Sequence, residues 1–274
     1  MSAITKKVRD LKVVSPAPPF SSVEDAIAEI RRGRMIVVLD DEDRENEGDL
    51  VMAAEDCGPE DVAFIRKYAS GVICVPMTPE RLTELDLPQM VSRNEARLGT
   101  AFTVSVDARE GITTGISAAD RSRTIKVLAD PAATAAHLVK PGHVFPLQAR
   151  EGGVLVRAGQ TEAAVDLCVA AGKQPVGVIC EITNADGSMS RLPELRRFAK
   201  RHGLLMITVK DLIAHRMRRE RLVERIASAK LPTEFGEFTV HGYRARLGHA
   251  EAEHAALTLG DLTTAEPVRV RVHS

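Results

Sequence analysis

The sequence predicts an α/β protein of the α+β type, with helices packed around a mixed sheet. Apolar runs rich in β-branched residues alternate along the chain with segments of helical periodicity, which is the pattern of a sheet covered by helices. The segment 101–107 instead alternates apolar and polar residues, which indicates a strand with one exposed face. Because a purely parallel sheet has both faces covered, the two kinds of strand together favour a mixed sheet.

The first half of the chain contains one helix with a clear start and stop. Ser21 and Glu24 have the spacing of a capping box, apolar residues then recur on one helical face, and Gly33 can end the helix. The other elements predicted before residue 110 are strands at 35–39, 72–75 and 101–107 and a helix at 59–69 with a proline in its first turn.

The second half continues the alternation of helices and strands. We predict helices at 161–171, 193–202 and 210–229 and strands at 176–182 and 204–209. Residues 1–20 contain three prolines and no periodicity, so they are predicted to be a flexible N-terminal lead-in. After Lys230, turn residues separate short β-like pieces. The sequence therefore divides into a main domain at 21–230 and a small module at 231–274.

Composition and charge argue against a nucleic-acid partner. The 274 residues are 44% hydrophobic and 27% charged, as in an ordinary globular protein, and the formal net charge of -1 provides no global field that attracts nucleic acid. The basic segment 216–225 contains interspersed glutamates and no aromatic residue, so we interpret it as a solvated helix face.

Hydropathy and cysteine spacing exclude two further classes. No apolar run approaches the roughly 20 residues needed to cross a bilayer. The first residues are basic but lack the apolar region of a secretory signal, so a cytoplasmic protein without a membrane partner is expected. The four cysteines have no C-x-x-C spacing, which argues against a zinc knuckle or a disulfide framework.

An acidic segment follows the predicted strand 35–39 directly. Seven of the ten residues in 40–49 are Asp or Glu, and Arg44 is the one cation among them. Carboxylates crowded at a strand end can bind a hard divalent cation such as Mg²⁺ through their oxygen atoms, and the remaining carboxylates can transfer protons. The alternative is a solvated acidic loop. We favour the functional interpretation because the segment begins abruptly after a buried strand.

Three further segments contain residues suited to chemistry. His143 lies between turn residues and apolar residues, where a partly buried imidazole can transfer protons, although a histidine that caps a turn has the same pattern. Arg157 precedes a helix start at Gly159 and Thr161, which indicates either a phosphate site or an ordinary N-cap. Glu181 ends an apolar strand, so it is a candidate acid or base or a member of a buried ion pair.

Four segments together resemble the 3,4-dihydroxy-2-butanone 4-phosphate synthases of the riboflavin pathway. They are the acidic segment 40–49, Thr113-Thr-Gly-Ile-Ser-Ala-Ala-Asp-Arg121, Gly142-His-Val-Phe-Pro-Leu147 and Arg157-Ala-Gly-Gln-Thr-Glu-Ala163. The resemblance covers about residues 20–220 in the expected order. After Lys230 the sequence resembles the opening of GTP cyclohydrolase II, and this segment is incomplete. Because the zinc cysteines and catalytic residues of that family lie further on, no cyclohydrolase activity is expected.

The resemblance implies a lyase that converts D-ribulose 5-phosphate into L-3,4-dihydroxy-2-butanone 4-phosphate and formate. The implied reaction comprises enolisation, dehydration, a skeletal rearrangement and loss of C4. The resemblance also implies Mg²⁺ or Mn²⁺ as the cofactor, no organic cofactor, and a homodimer with sites close to the subunit interface. The chemistry fits the residues, since enolisation needs a base, dehydration needs an acid, and the rearrangement needs a metal that polarises adjacent oxygens.

The resemblance further implies roles for individual residues. Glu45 matches the family's metal carboxylate, and Gln160 stands where the family has a metal-binding histidine. The residues implied in substrate binding are Arg44, Asp49, Cys74, Arg157 and Thr161. The residues implied in catalysis are His143, Glu181, Asp41 and Glu47. For the cysteine, packing in an apolar strand is the alternative role.

Gln160 departs from the family's pattern, which reads Gly-His-Thr-Glu-Ala at this point. A glutamine offers a neutral amide oxygen that Mg²⁺ can accept, but it lacks the imidazole. Two alternatives therefore stay open beside a working synthase with weakened metal binding. One is a non-catalytic paralogue that acts as a binding or regulatory subunit. The other is a related lyase or isomerase that acts on another phosphosugar.

Overall fold

The computed structural model describes residues 20–246, 253–262 and 267–273, and the chain divides into two compact units, Met1–Leu212 and Ile213–Ser274. The predicted lead-in at 1–20 lies outside the described residues except for Phe20. Within the described part of the chain, no helix is both long enough and apolar enough to cross a membrane.

The first unit alternates helices and strands along most of its length. Its helices are α1 (Val23–Arg31), α2 (Pro59–Tyr68), α3 (Pro79–Glu84), α4 (Ala118–Ala129), α5 (Gln160–Ala170) and α6 (Leu192–His202), and α7 (Val209–Arg219) continues across the division between the units. Its strands are β1 (Ile36–Leu39), β2 (Gly48–Ala53), β3 (Cys74–Met77), β4 (Val106–Ala108), β5 (Leu138–Gln148), β6 (Gly177–Glu181) and β7 (Met206–Thr208).

These strands form one sheet in the order β4-β5-β3-β6-β2-β1-β7. β1 runs parallel to β7 and β3 runs parallel to β5. The neighbours β1 and β2, β2 and β6, β3 and β6, and β4 and β5 are antiparallel. The predicted α/β class with a mixed sheet is therefore confirmed.

Both faces of the sheet are covered, as β1 shows most clearly. Successive side chains of a strand point to opposite faces, and all four residues of β1 are buried. Val37 and Leu39 belong to the main hydrophobic cluster, together with residues of β2, β3, β6, α2, α4 and α6. Each such side chain contributes about 1.5–3 kcal/mol relative to an exposed one. This burial fixes the strand ends from which the candidate site residues extend.

The strand directions place several candidate residues at one end of the sheet. The acidic loop, residues 40–47, connects β1 to β2, and Asp49 on β2 is paired with Glu181, the last residue of β6. Cys74 begins β3, which is antiparallel to β6, so it lies at the same end. Phe145 of β5 is paired with Cys74, and His143 lies two residues further towards that end.

The helix boundaries follow local sequence chemistry closely. α1 begins after Ser22, whose hydroxyl accepts a hydrogen bond from the N–H of Asp25 at 3.0 Å, so the cap is Ser22 rather than the predicted Ser21. α2 and α6 have a proline in their first turn, and Gly203 ends α6 in a left-handed conformation, as expected for these residues.

Several elements of the first unit differ from the predictions. The predicted strand at 101–107 is wrong for most of its length, because only its last two residues belong to β4, and of the others only Phe102 and Thr103 form isolated bridges. β2, α3, α4 and β5 have no counterpart among the predicted elements. β5 contains Pro141 and Gly142, which indicate a turn, and α4 buries polar residues such as Asp120 and Thr124 that obscure its apolar face.

The second unit contains a three-stranded antiparallel sheet in the order β10-β9-β8. Its strands are β8 (Val223–Thr233), β9 (Gly236–Ala245) and β10 (Glu253–Thr258). The helix predicted over 210–229 is wrong beyond Arg219, because β8 pairs with β9, a contact outside any helical window. β8 also runs through Lys230, where the sequence pattern places the domain boundary.

Candidate active site

The acidic loop is organised around one buried carboxylate. The two oxygens of Asp40 accept hydrogen bonds from the backbone N–H groups of Glu45 (3.1 Å) and Glu47 (2.9 Å). The N–H of Asp40 donates in turn to the carbonyl oxygen of Glu47 at 3.2 Å. Asn46 between them has a left-handed backbone with φ of 54°. The loop is therefore a defined turn around a buried carboxylate, and its residues 41–43 are exposed.

Arg44 gathers oxygen atoms from two distant parts of the chain. Its Nη1 donates to Asp40 Oδ2 (2.7 Å), Glu45 Oε2 (2.8 Å) and Gln160 Oε1 (3.0 Å). Gln160 is the first residue of α5, and its Nε2 donates to the carbonyl oxygen of Glu47 at 3.4 Å. The two candidate metal ligands, Glu45 and Gln160, thus direct oxygen atoms at the same cationic group.

Asp49 and Glu181 form a pair of carboxyl groups across β2 and β6. Burial, followed by the negative charges of Glu181 and Glu45, raises the pKa of the buried Asp49 well above its ordinary value. Glu181 Oε2 accepts a hydrogen bond from the N–H of Val72 at 2.9 Å. In the described part of the chain no arginine or lysine forms an ion pair with Glu181, so the buried ion pair considered above is not found there. A carboxyl group with a raised pKa beside a second carboxyl group suits proton transfer.

Glu47 and Asp41 have different surroundings within the acidic loop. Burial and the charge of Glu45 raise the pKa of Glu47, and the nearby Arg191 opposes this rise. Asp41 is exposed, and its carboxylate accepts a hydrogen bond from the N–H of Asp43 at 2.9 Å. The structure therefore brings Glu47 to the cluster of carboxylates, whereas the described contact of the Asp41 carboxylate lies within its own turn.

Cys74 is buried at the start of β3, beside the carboxyl pair. Burial, reinforced by the charges of Glu181 and Asp49, raises the pKa of its thiol. Burial likewise raises the pKa of the other thiols, Cys57, Cys168 and Cys180, and all the cysteines are free. Because only the thiolate is a strong nucleophile, these environments suit packing rather than covalent chemistry.

His143 lies on β5 rather than in a turn, and Asp107 holds it. The N–H of His143 donates to Asp107 Oδ1 at 3.0 Å, and the ring Nδ1 lies 2.7 Å from Asp107 Oδ2. The histidine side chain is 44% exposed, whereas the aspartate side chain is 8% exposed. With Nδ1 directed at the carboxylate, Nε2 is the ring nitrogen that is left for proton transfer.

The turn that contains Gly115 closes over this pair. Asp120 accepts hydrogen bonds from the hydroxyl (2.7 Å) and N–H (3.0 Å) of Thr113 and from the N–H of Gly115 (3.1 Å), and the Thr113 hydroxyl contributes most to lowering the Asp120 pKa to about 2. Gly115 has φ of 91°, and a Cβ at this position would overlap with Asp107 Oδ2 and His143 Nδ1. Only glycine fits here without displacing the pair.

A second glycine marks the candidate phosphate site at the start of α5. Gly159 is the N-cap of α5, and a Cβ there would lie 2.7 Å from Arg157 Nη1 and 3.0 Å from Arg44 Nη2. Arg157 Nη1 also donates to the buried Glu162 at 2.7 Å, and Thr161 is buried in the first turn of α5. Two guanidinium groups and the N–H groups of a helix start can together hold an anion. We call this arrangement the anion cradle.

The structure groups most of the sequence-predicted residues but not all of them. Those gathered around the acidic loop, the carboxyl pair and the anion cradle are Arg44, Glu45, Glu47, Asp49, Cys74, Arg157, Gln160, Thr161 and Glu181. No described contact joins His143 to them, although it lies at the same end of the sheet. Sequence reasoning missed Asp107, whose signal is its position at the end of the alternating segment 101–107. It also missed Arg191, for which the sequence carries no signal.

The oxygen atoms that meet at Arg44 fit a hard divalent cation. Glu45 provides a carboxylate and Gln160 an amide oxygen, which are both accepted by Mg²⁺, and both already face one positive group. Within residues 20–246, 253–262 and 267–273, no three His, Cys, Asp or Glu side chains are arranged to hold a metal ion. Glu45 and Gln160 would therefore share the ion with water and substrate oxygens, as is usual for Mg²⁺.

Comparison with known families and proteins identifies the family to which the chain is similar. Residues 24–215 match the family described as 3,4-dihydroxy-2-butanone 4-phosphate synthase, and residues 224–274 match GTP cyclohydrolase II. The chain is 56% identical over 257 residues to riboflavin biosynthesis protein RibBA of Aquifex aeolicus (strain VF5), with 93% of this chain and 63% of that protein covered. The chain spans 60–63% of the length of several such relatives.

Two of the solved structures that are similar to the chain illustrate the match. One is RibBX, a two-domain 3,4-dihydroxy-2-butanone 4-phosphate synthase from A. baumannii, with a TM-score of 0.79 and 47% identity over 88% of this chain and 70% of that one. The other is a 3,4-dihydroxy-2-butanone 4-phosphate synthase in complex with two magnesium ions, with a TM-score of 0.70 and 48% identity over 73% of this chain and 98% of that one. Since the first family match also covers more than half of the chain, this chain belongs to the 3,4-dihydroxy-2-butanone 4-phosphate synthase family.

Proposed function

We propose that this chain converts D-ribulose 5-phosphate into L-3,4-dihydroxy-2-butanone 4-phosphate and formate, a step of riboflavin biosynthesis. The observation that carries the proposal is the convergence of Glu45 Oε2 and Gln160 Oε1 on Arg44, whose other terminal nitrogen reaches the anion cradle. One arginine thus lies between a candidate cation site and a candidate phosphate site, which suits a small sugar phosphate that chelates a metal. Membership of the family supports the same assignment.

The anion cradle is the proposed site of the substrate phosphate. Arg157 and Arg44 provide charge-assisted hydrogen bonds, and the N–H groups at the start of α5, with the Thr161 hydroxyl, provide further donors. Arg157 is held in place by Glu162 and by the hydroxyl of Thr100, which Arg157 Nη2 contacts at 3.2 Å. An arginine fixed in this way loses little freedom when an anion binds.

The carboxyl pair and the histidine are the proposed proton-transfer groups. Burial raises the pKa of Asp49 and so favours its protonated form, which makes Asp49 the candidate acid towards a leaving hydroxyl, whereas Glu181 and His143 are the candidate bases for enolisation. The atoms balance, because the five-carbon substrate yields a four-carbon phosphate and formate, and the water lost in dehydration is taken up when C4 leaves. Glu47 lies close enough to assist, and we retain Asp41 as a weaker candidate because it is exposed.

Mg²⁺ is the proposed metal, with Mn²⁺ as a substitute and no organic cofactor. The magnesium complex of the similar synthase supports this proposal. When bound, the ion polarises the adjacent substrate oxygens that carry charge during enolisation. Glu45 and Gln160 are the residues that would hold it, through the oxygen atoms that now accept hydrogen bonds from Arg44.

The test is incubation of the purified chain with ribulose 5-phosphate and Mg²⁺, with formate measured by a formate dehydrogenase assay. We expect formate and the four-carbon phosphate in equal amounts, loss of both with EDTA, and recovery with Mg²⁺ or Mn²⁺. Glu45→Gln should lose turnover, whereas Glu42→Gln, a matched change at an exposed position of the same loop, should retain it. Absence of formate with the wild type would contradict the proposal and favour the non-catalytic paralogue. Equal turnover of both variants would contradict the assignment of Glu45 to the metal site.

The segment 224–274 is proposed to add no GTP cyclohydrolase II activity. Residues 224–274 match that family but contain no cysteine that could bind zinc. Incubation of the chain with GTP and Zn²⁺ should release no formate, and any zinc-dependent release would contradict this. The homodimer and the cytoplasmic location stay predictions, which sedimentation of the purified chain and cell fractionation test.

A further inference from the structure

Arg191 contacts the acidic loop from outside. It is the N-cap residue of α6, and its Nη1 donates to the carbonyl oxygens of Glu45 (2.6 Å) and Asn46 (2.5 Å). The same nitrogen lies 3.9 Å from Glu47 Oε1. One guanidinium group therefore contacts three consecutive residues of the loop that presents the candidate metal carboxylate.

The start of α6, which carries this arginine, is packed against neighbouring elements. Leu195 in its first turn is fully buried, and it packs so closely on Gly48 that a Cβ at Gly48 would lie 2.6 Å from Leu195 Cδ1. The N–H of Ser190 donates to the carbonyl oxygen of Ile182 at 3.0 Å, directly after the end of β6. Arg191 thus extends from a segment attached both to the base of the acidic loop and to the strand that ends in Glu181.

The loop is a tight turn with few described attachments outside itself. Asn46 has a positive φ of 54°, a left-handed conformation that asparagine adopts more readily than most other non-glycine residues, and its N–H donates to the carbonyl oxygen of Asp41 at 3.2 Å. The other described bonds of the loop, which involve Asp40, Asp41 and Arg44, come from within the loop itself except for those made by Gln160. Arg191 therefore links the backbone of the loop to the start of α6.

We propose that Arg191 is a positioning residue that fixes the backbone of Glu45 and Asn46, so that the Glu45 carboxylate stays directed at the metal and substrate. This inference rests on the proposed function, because it assigns Arg191 to the same site. Arg191 acts through the loop and is not assigned a contact with the reacting atoms.

The first test measures the loop without catalysis. Hydrogen exchange of the backbone amides at 44–47 should become at least about tenfold faster in Arg191→Ala, because the carbonyls that anchor the turn lose their donor. Arg197→Ala is the matched control, since Arg197 lies on the same helix, is 67% exposed and pairs with Glu194 alone among its described ion-pair partners. Its exchange at 44–47 should equal that of the wild type. Equal exchange in Arg191→Ala and the wild type would overturn the proposal.

The second test separates positioning from a merely structural role. Formate turnover of Arg191→Ala at fixed Mg²⁺ should fall about 10–100-fold, as is typical for outer-shell partners of metal ligands, and Mn²⁺ binding followed by electron paramagnetic resonance should weaken in parallel. Millimolar guanidinium chloride, and separately Arg191→Lys, should restore part of both. A loss of turnover that follows the melting temperature alone, with no rescue and unchanged Mn²⁺ affinity, would overturn the proposal.

The two proposals fail in distinguishable ways. A wild-type chain that releases no formate contradicts the proposed function, whatever Arg191 does. Unchanged amide exchange and unchanged Mn²⁺ affinity in a folded Arg191 variant contradict the inference while leaving the proposed function intact. If Arg191→Ala fails to fold, Arg191→Lys provides the comparison, because its ammonium group still carries donors for the two carbonyl oxygens.

Discussion

Asp107 holds His143 at two points. Asp107 Oδ1 accepts a hydrogen bond from the backbone N–H of His143 at 3.0 Å, and Asp107 Oδ2 lies 2.7 Å from the ring Nδ1 of His143. The two contacts fix both the position of the β5 backbone and the orientation of the imidazole. A carboxylate at Nδ1 also favours the tautomer in which this nitrogen carries the proton, which leaves Nε2 as an acceptor. The aspartate, which sequence reasoning missed, therefore determines how the predicted histidine can act.

Asp107→Asn should lower formate turnover while leaving the fold intact. The amide keeps a hydrogen bond to the histidine but does not stabilise the protonated imidazole. A general acid or base contributes about 10²–10⁴-fold, so we expect a loss near the lower end of that range in Asp107→Asn and a larger loss in His143→Gln. Steady-state kinetics with ribulose 5-phosphate test this, with circular dichroism as the check on folding. Full activity in Asp107→Asn would show that the contact is structural only.

Gly115→Ala should inactivate the chain by displacing the same pair. The new methyl group would overlap with Asp107 Oδ2 and His143 Nδ1, and the backbone would be strained at φ of 91°. Gly187→Ala is the matched control, because Gly187 has φ of 86° and open space around the new methyl group. Both variants should lose about 1 kcal/mol or more from strain. Only Gly115→Ala should lose turnover beyond that, and equal turnover in the two would contradict the close approach.

Asp49→Asn should change the pH dependence of stability as well as abolish turnover. Burial raises the pKa of Asp49 in the folded chain, so the folded state binds more protons than the unfolded state above the ordinary Asp value of about 3.9. The contribution of Asp49 to the free energy of unfolding of the wild type therefore decreases as the pH rises above the ordinary Asp value. The melting temperature of Asp49→Asn relative to wild type, measured in EDTA, should increase from pH 4 to pH 8. A constant difference across that range would contradict the assigned environment.

Gln160→His should tighten metal binding if an imidazole completes the site. The expected gain is about 10–100-fold in the Mg²⁺ or Mn²⁺ concentration that half-activates formate release. A wild-type curve that saturates at higher metal concentration supports a weakened enzyme. Wild-type inactivity rescued by histidine would instead indicate a decayed site, and inactivity of both proteins would favour the paralogue.

The cysteines should be unreactive in the folded chain. All four are free and buried with raised thiol pKa values, so a disulfide reagent such as DTNB should label none at pH 8 until the chain is unfolded in guanidinium chloride, when four react. Asp41→Cys, at an exposed position, provides the positive control. Rapid labelling of Cys74 in the native chain would revive a chemical role for that thiol.

The sequence predicted the fold where local signals were strong. α2, α5 and α6 lie within two residues of their predicted bounds, because Pro59, Gly159 and Pro193 mark their starts. β5 was missed because Pro141 and Gly142 indicate a turn in any local window, whereas strand pairing with β3 and β4 decides the outcome. The helix predicted to extend to residue 229 ends at Arg219 for the same reason, because residues 223–233 pair with β9 in a sheet.

The sequence predicted many of the residues of the candidate site, but not the contacts between them. The acidic segment and the helix start at Gly159 could be recognised from composition and spacing. That Arg44 joins Glu45 to Gln160 could not, because residues 44 and 160 approach one another only through the packing of α5. Asp107 and Arg191 each act through hydrogen bonds between distant segments, and a periodicity argument cannot detect such bonds.

The pairing of Asp49 with Glu181 links the candidate site to the assembly of the sheet. The two residues are far apart in the chain, and they become neighbours only when β2 joins β6 near the centre of the sheet. Such a non-local contact requires the long intervening segment to be closed into a loop, at a cost in chain entropy. The acidic loop is local in sequence, whereas the candidate carboxyl pair exists only where β2 and β6 are paired, so any activity that depends on this pair also reports that these two strands have joined.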